Sequence, residues 1–138
     1  MIAKSAVITE WDFDRLSDLV RSARWRAVYG SLLARLEQEL GRGRMVDPAR
    51  VPRNVVTMNS RVRIRNIGAD ERAETYTLVY PPDADIELGR LSVLAPLGTA
   101  LLGARVGDGL VVNAPAGPRP IRVERILYQP EAAGDFHL

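Results

Sequence analysis

The sequence predicts an α+β protein, with a short antiparallel helical hairpin at the N-terminus followed by an antiparallel β domain that holds one short helix. Three observations carry this. Apolar residues recur with helical spacing only before residue 46. Two prolines within five residues, Pro48 and Pro52, then break the pattern. From residue 55 onward the apolar period becomes two, the period of a strand with one buried face. The division that follows is a hairpin over 1–46, a linker over 47–54 and a β domain over 55–138.

The first helix has a start signal at Thr9. Asp12 follows three residues later, the spacing of a capping box in which hydroxyl and carboxylate satisfy free backbone N–H groups. Ile8 and Phe13 stand where a hydrophobic staple would close, and Phe13, Leu16, Leu19 and Val20 keep helical spacing up to about residue 21. A second helix reads from about Arg26 to Leu40, with Leu32, Leu36 and Leu40 four residues apart and Val28 and Leu33 beside them. Gly41-Arg-Gly43 ends it with a left-handed glycine cap. The link Ser22-Ala-Arg-Trp25 is short, so the helices pack antiparallel, each about 18–24 Å long. The stripes Phe13/Leu16/Val20 and Leu32/Leu36/Leu40 read as the seam between them.

In the second part, residues 61–65 alternate strictly as Arg-Val-Arg-Ile-Arg. Gly68-Ala-Asp70 is a turn, and residues 74–79 form the next strand, stopped by Pro81-Pro82. Residues 82–89 make an acidic loop. Leu91 to Leu94 is a short apolar strand and Leu97 to Leu102 a helical turn between Pro96 and Gly103. Gly107-Asp108-Gly109 is a tight turn, and residues 110–113 and 121–128 close a hairpin around 114–118. The tail from Gln129 has no clear period.

Composition removes several kinds of chemistry. Cysteine is absent and His137 is the sole histidine, so zinc sites and Ser-His or Cys-His catalysis lack their residues. Gly103, Gly107 and Gly109 are not followed by the Lys and Ser/Thr of a phosphate loop. Asp83, Asp85 and Glu87 lack the glycine and terminal glutamate of a calcium loop. No cofactor and no metal is therefore expected. The N-terminal residues lack the apolar core of a signal peptide and the apolar runs are far short of a membrane span, which reads as a cytoplasmic protein. The net charge is only +2, although 18 of the 19 basic residues are arginine.

Arg61, Arg63 and Arg65 share one face of their strand. Two readings stay open: an anion or nucleic-acid track, or a solvent face balanced by Glu71 and Glu74. Val93, Leu101 and Leu102 read as core, whereas Leu94, Ala95 and Pro96, at the strand-to-helix corner, read as exposed.

Residues 91–103, Leu-Ser-Val-Leu-Ala-Pro-Leu-Gly-Thr-Ala-Leu-Leu-Gly, followed by Arg105-Val-Gly-Asp108, resemble the C-terminal domain of the Gre-type transcript-cleavage factors. The resemblance is closer to the regulator of nucleoside diphosphate kinase family. It covers Val55-Val-Thr-Met-Asn-Ser-Arg-Val62, Thr77-Leu-Val-Tyr-Pro81, the 91–103 stretch and Tyr128-Gln-Pro-Glu-Ala-Ala-Gly-Asp135, most of residues 55–135.

This resemblance implies an FKBP-like fold, a curved antiparallel sheet wrapping one short helix. It also implies a partner, RNA polymerase, bound at the rim of its secondary channel. The matching positions are Leu94, Ala95, Pro96 and Leu97, with Ala95 where the cleavage factors often carry serine. Gre factors bring acidic residues to the polymerase's catalytic metal on a much longer coiled coil. Here the tip, Arg24, Trp25 and Arg26, is basic and aromatic, and arginine offers no acceptor to a cation. The expectation is a non-enzymatic regulator that binds polymerase, competes with Gre-type factors, does not stimulate cleavage, and affects nucleoside diphosphate kinase indirectly. The other classes are a nucleic-acid-binding module on the Arg61/Arg63/Arg65 face and a prolyl isomerase, whose pocket would need aromatic walls scarce after residue 50.

Overall fold

The computed structural model describes residues 6–68 and 71–138. The predicted turn at Gly68 to Asp70 lies partly outside them. A three-residue strand β1 (Val7–Thr9) leads into helix α1 (Glu10–Arg21), then α2 (Ala23–Arg42), then β2 (Arg44–Val46). β1 and β2 pair in parallel, so the two ends of the helical hairpin are tied by backbone hydrogen bonds. The rest is a five-stranded sheet with β3 (Arg61–Asn66), β4 (Ala73–Val79), β5 (Arg90–Ser92), β6 (Gly109–Ala114) and β7 (Gly117–Tyr128), in the order β5-β4-β3-β7-β6. Helix α3 (Pro96–Leu101) follows β5, and a single turn α4 (Pro130–Ala133) opens the tail that sequence left without a period. The architecture is α+β, as the sequence predicts.

The details differ in ways that have physical causes. The sheet is not wholly antiparallel, because β4 and β5 run parallel, Leu78 opposite Leu91. A parallel return needs a crossover longer than a tight turn, and the segment from Tyr80 to Gly89, folded into two short 3₁₀ turns, supplies it. The second helix is longer than its apolar pattern, 20 residues or about 30 Å. Only Ser22 separates the helices, so Arg24, Trp25 and Arg26 form the first turn of α2 rather than a loop. Val28, read as lying beside the leucine stripe, is 69% exposed, and the backbone departs from helical geometry at Tyr29 next to it. Gly43 ends α2 in an extended conformation, not the left-handed one (φ −73°). Its smallness is needed for another reason: a Cβ there would overlap the Ile8 side chain.

One core holds these elements together. Leu16 and Val20 of α1, and Leu33, Leu36 and Leu40 of α2, belong to the same buried cluster as Val62, Ile64, Leu78, Leu101 and Val123. The hairpin seam is therefore also its contact with the sheet. Each fully buried leucine of this kind stabilises the fold by about 1.5–3 kcal/mol.

The polar tie between the two parts is Asp12. Thr9 Oγ1 accepts the Asp12 N–H at 3.1 Å, the expected half of a capping box. The other half does not form. The Asp12 carboxylate, 1% exposed, turns away from the cap and accepts the N–H of Met58 at 3.0 Å and a guanidinium N–H of Arg15 at 2.7 Å.

Burial raises the Asp12 pKa above the ordinary value of 3.8; the Met58 N–H and the Arg15 charge oppose the rise without cancelling it, and the Glu131 charge adds to it. A carboxyl whose pKa rises on folding favours the folded state most at low pH. That contribution is lost as pH climbs through its folded-state value. Urea denaturation at a series of pH values should therefore show Asp12→Asn gaining stability relative to the parent as pH climbs from below 3.8 to neutrality. Asp12→Ala, which leaves the Met58 N–H with no acceptor, should be less stable than the parent at neutral pH by about 1–3 kcal/mol.

Candidate functional site

The segment after β5 makes a sharp corner. The chain leaves the sheet at Val93, whose N–H is the last to bond to β4, at Val79 O, 2.9 Å. Ser92 Oγ accepts the N–H of Leu94 at 3.1 Å, and the Ala95 N–H returns to Ser92 O at 3.1 Å. Pro96 then starts α3 at a position where a missing N–H costs nothing. Thr99, one turn on, is 2% exposed and its hydroxyl donates to Val93 O at 2.6 Å, clamping helix to strand end. Gly98 faces the corner so closely that a Cβ would overlap the Ser92 carbonyl. Gly103, at φ +76°, ends the helical segment and presses against Ala6 and Val7.

The corner does not expose the four residues equally. Leu94 is 3% and Leu97 7% exposed, and both belong to the core cluster with Leu33, Leu36 and Leu40. The sequence-based expectation that Leu94 is exposed is thereby corrected: Leu94 lies in the core that the helical hairpin shares with the sheet. Ala95 and Pro96 are half-buried at the surface. Val93, Leu101 and Leu102 lie in the core, as expected.

Pro96 also stands on the wall of a cleft of about 260 Å³. Thr99 and Ala100 of α3, Arg35, Gln38 and Glu39 of α2, and residues 110–113 of β6 complete the lining. None of these is aromatic, so the cleft lacks the walls that a proline-peptide pocket would need. The sequence did not point to α2 or β6 here, because their residues are brought to the corner only by tertiary packing.

The hairpin tip is built differently from a free loop. Arg26 Nε donates to Val20 O at 2.7 Å and so caps the C-terminus of α1. Trp25 packs against the core and stacks on Tyr29, ring centroids 5.7 Å apart. The Arg24 guanidinium lies 5.7 Å from the Trp25 ring centre. All three tip residues are thus engaged in local contacts, Arg24 through its cation–π contact with Trp25.

Arg61, Arg63 and Arg65 do share the outer face of β3, with Val62 and Ile64 buried beneath. Their carboxylate partner is not the expected one. Glu124 of β7 takes Arg65 in a forked contact and reaches Arg63 at 4.0 Å. Glu71 accepts a hydrogen bond from Arg65 through its backbone oxygen at 2.9 Å, and its carboxylate acts on Arg65 through charge without an ion pair. Glu74 pairs in register with buried Ile64, hence on the opposite face, and binds Arg119 at 2.6 Å and the Tyr76 hydroxyl at 2.7 Å. Among the described residues, no group of three or more His, Cys, Asp or Glu side chains could hold a metal ion, and no helix is long and apolar enough to cross a membrane.

With this geometry in place, the likeness to known proteins is specific. Residues 51–128 match the family described as transcription elongation factor GreA/GreB, C-terminal. The chain is 39% identical over 139 residues to the regulator of nucleoside diphosphate kinase of Escherichia coli strain K12, covering 100% of both. It is 34% identical over 134 residues to transcription elongation factor GreA of Nautilia profundicola, covering 92% of this chain and 82% of that one. A solved structure, a prokaryotic transcription elongation factor GreA/GreB from Nitrosomonas europaea, superposes with a TM-score of 0.72 at 38% identity, over 90% of this chain and 100% of that one.

The corner's construction yields a prediction. Gly98→Ala, overpacked against Ser92, should lower stability by about 1–3 kcal/mol, and Leu94→Ala, which empties core volume, by about 2–5 kcal/mol. Thermal denaturation of the two variants measures both losses.

Proposed function

The chain belongs to the regulator of nucleoside diphosphate kinase family, with a GreA/GreB C-terminal domain, and from that premise we propose that it is a non-enzymatic transcription regulator that binds RNA polymerase near its secondary channel. The observation that carries this reading is the corner at Leu94, Ala95, Pro96 and Leu97. Ala95 and Pro96 are the surface that meets the polymerase. Leu94 and Leu97, buried beneath them, fix their position and make little direct contact. A half-buried proline held between a clamped strand end and a helix start loses little conformational freedom on binding, which favours affinity.

The hairpin decides what the bound protein does. Its tip offers guanidinium groups and a stacked aromatic pair, none of which can ligate a catalytic metal ion. Bound at the same rim as a Gre-type factor, the protein blocks that factor's access and does not stimulate transcript cleavage. Its effect on nucleoside diphosphate kinase is indirect, through expression, and it acts in the cytoplasm by binding rather than by catalysis.

Pull-down with core RNA polymerase, repeated with rising amounts of a Gre factor, tests the reading. The expected result is capture of the polymerase that the competitor displaces. The double variant Ala95→Glu/Pro96→Glu should lose at least tenfold in affinity, about 1.4 kcal/mol, while its thermal melting stays close to that of the parent. Retained binding by a folded double variant would sink the assignment of the corner. On a stalled elongation complex, added protein should leave the rate of transcript cleavage at its basal level; clear stimulation would refute the blocking role.

A further inference from the structure

The strand register enlarges the arginine face far beyond the three residues visible in the sequence. Across the sheet, Arg61 of β3 stands opposite Thr77 of β4, and Thr77 stands opposite Arg90 of β5. Two residues along, Arg63 stands opposite Arg125 of β7. Two further, Arg65 stands opposite Arg122. Paired residues share a face, so all six guanidinium groups project from the outer side of one sheet. The side chains beneath, Val62, Ile64, Leu78 and Val123, are fully buried.

Neighbouring strands lie about 4.8 Å apart and alternate residues of one strand about 6.6–6.8 Å apart. The six charges therefore occupy a field three rows deep. Glu124 is the only carboxylate paired into it among the described residues, through Arg65 and Arg63. Arg61, Arg90, Arg122 and Arg125 form no ion pair with any described carboxylate. The near-neutral net charge of the whole chain, +2, conceals this local excess. A protein does not gain stability by crowding like charges on opposed strand positions; Arg63 against Arg125 and Arg65 against Arg122 are each mildly destabilising alone. A polyanion relieves that repulsion.

We propose that this outer sheet face binds single-stranded nucleic acid through its phosphates, without reading sequence. Guanidinium forks match phosphate oxygens in geometry, and the Thr75 and Thr77 hydroxyls between them add neutral donors. The one aromatic in the field, Tyr128, is held by a hydrogen bond from its hydroxyl to Asp135 and lies at its edge opposite Arg61, so there is no row of rings on which successive bases would stack. The opposite side of the sheet lies on the core, so the arginine face is the outer surface of a twisted sheet. A flexible strand can follow such a surface, whereas a stiff duplex meets it over only a few phosphates.

Fluorescence anisotropy of the purified full chain with a labelled 20-nucleotide single strand, with no polymerase present, tests this. Binding should lie in the range of about 10⁻⁴–10⁻⁶ M and weaken steeply with salt. Arg61→Gln/Arg63→Gln/Arg125→Gln should lower affinity at least tenfold and reduce the salt slope by about 2, since each phosphate contact on a single strand contributes about 0.7. Arg24→Gln/Arg35→Gln/Arg44→Gln removes the same charge elsewhere and should leave both quantities near the parent's. Absence of binding at 50 mM salt, or equal losses in the two triple variants, overturns the proposal. Tighter binding of a duplex of the same length, or equal competition by polyglutamate, also overturns it, the second in favour of an acidic protein surface.

Discussion

Asp12 puts a carboxylate where water scarcely reaches and gives it two donors from different parts of the chain, the Met58 N–H and the Arg15 guanidinium. Much of the molecule is arranged around that contact. The residues next to Met58 form their own polar turn: the Thr57 N–H donates to Ser60 Oγ at 2.9 Å, and the Thr57 hydroxyl donates to Glu131 at 2.7 Å. Helix α1, the approach to β3 and the tail helix α4 therefore meet at one polar junction. Arg15 extends it, lying over the Tyr80 ring at 5.1 Å and donating to the Leu138 backbone oxygen at 3.0 Å. Tyr80 feels the same surroundings: burial raises its hydroxyl pKa, and the Asp12 charge raises it further. A buried charge with its partners removed is strongly destabilising, so the junction fixes where α1 can sit with little tolerance.

Once α1 is fixed, α2 has little freedom, because Ser22 alone links them and β1–β2 pairing ties their far ends. α2 is thereby held against α3, and its residues Arg35, Gln38 and Glu39 face α3 and β6 across the cleft beside Pro96. The corner is thus held in three ways: by the Thr99 clamp, by the close packing of Gly98 and by the place of Leu94 and Leu97 in the shared core. A partner surface that docks on Ala95 and Pro96 docks on a preformed shape.

Much of the fold is legible in the sequence where the signal is local. The alternation from Arg61 to Arg65 gives β3, the Thr9 signal gives the start of α1, and Pro96 and Gly103 bound α3 to within a residue. The misreadings share one cause. Asp12 has the spacing of a capping box, and nothing within a helical turn reveals that an N–H 46 residues away captures its carboxylate. Leu94 sits at a strand-to-helix corner whose local sequence does not reveal that it joins the core shared by hairpin and sheet. The arginines on β3 were visible as a stripe, but Arg90, Arg122 and Arg125 join them only through register. That register depends on two irregularities in the β3–β7 pairing, between Arg61 and Val62 and between Arg63 and Ile64, which leave no mark in a period-two pattern.

The contact of the N-terminal strand with Gly103 has a temporal side. The Val7 N–H donates to Gly103 O at 3.3 Å, and Arg44 N bonds to Ala6 O at 2.8 Å in the same patch. Residues at the start of the chain thus finish folding against residues made roughly a hundred positions later. During synthesis, chains grow N-terminus first at about 5–20 residues per second. The helical hairpin therefore emerges with its core-facing leucines uncovered and waits several seconds for the sheet and α3 that cover them. Such long-range closure slows folding relative to a hairpin that completes itself. For this chain the vulnerable species is the half-made one, in which Leu33, Leu36 and Leu40 face water or a chaperone.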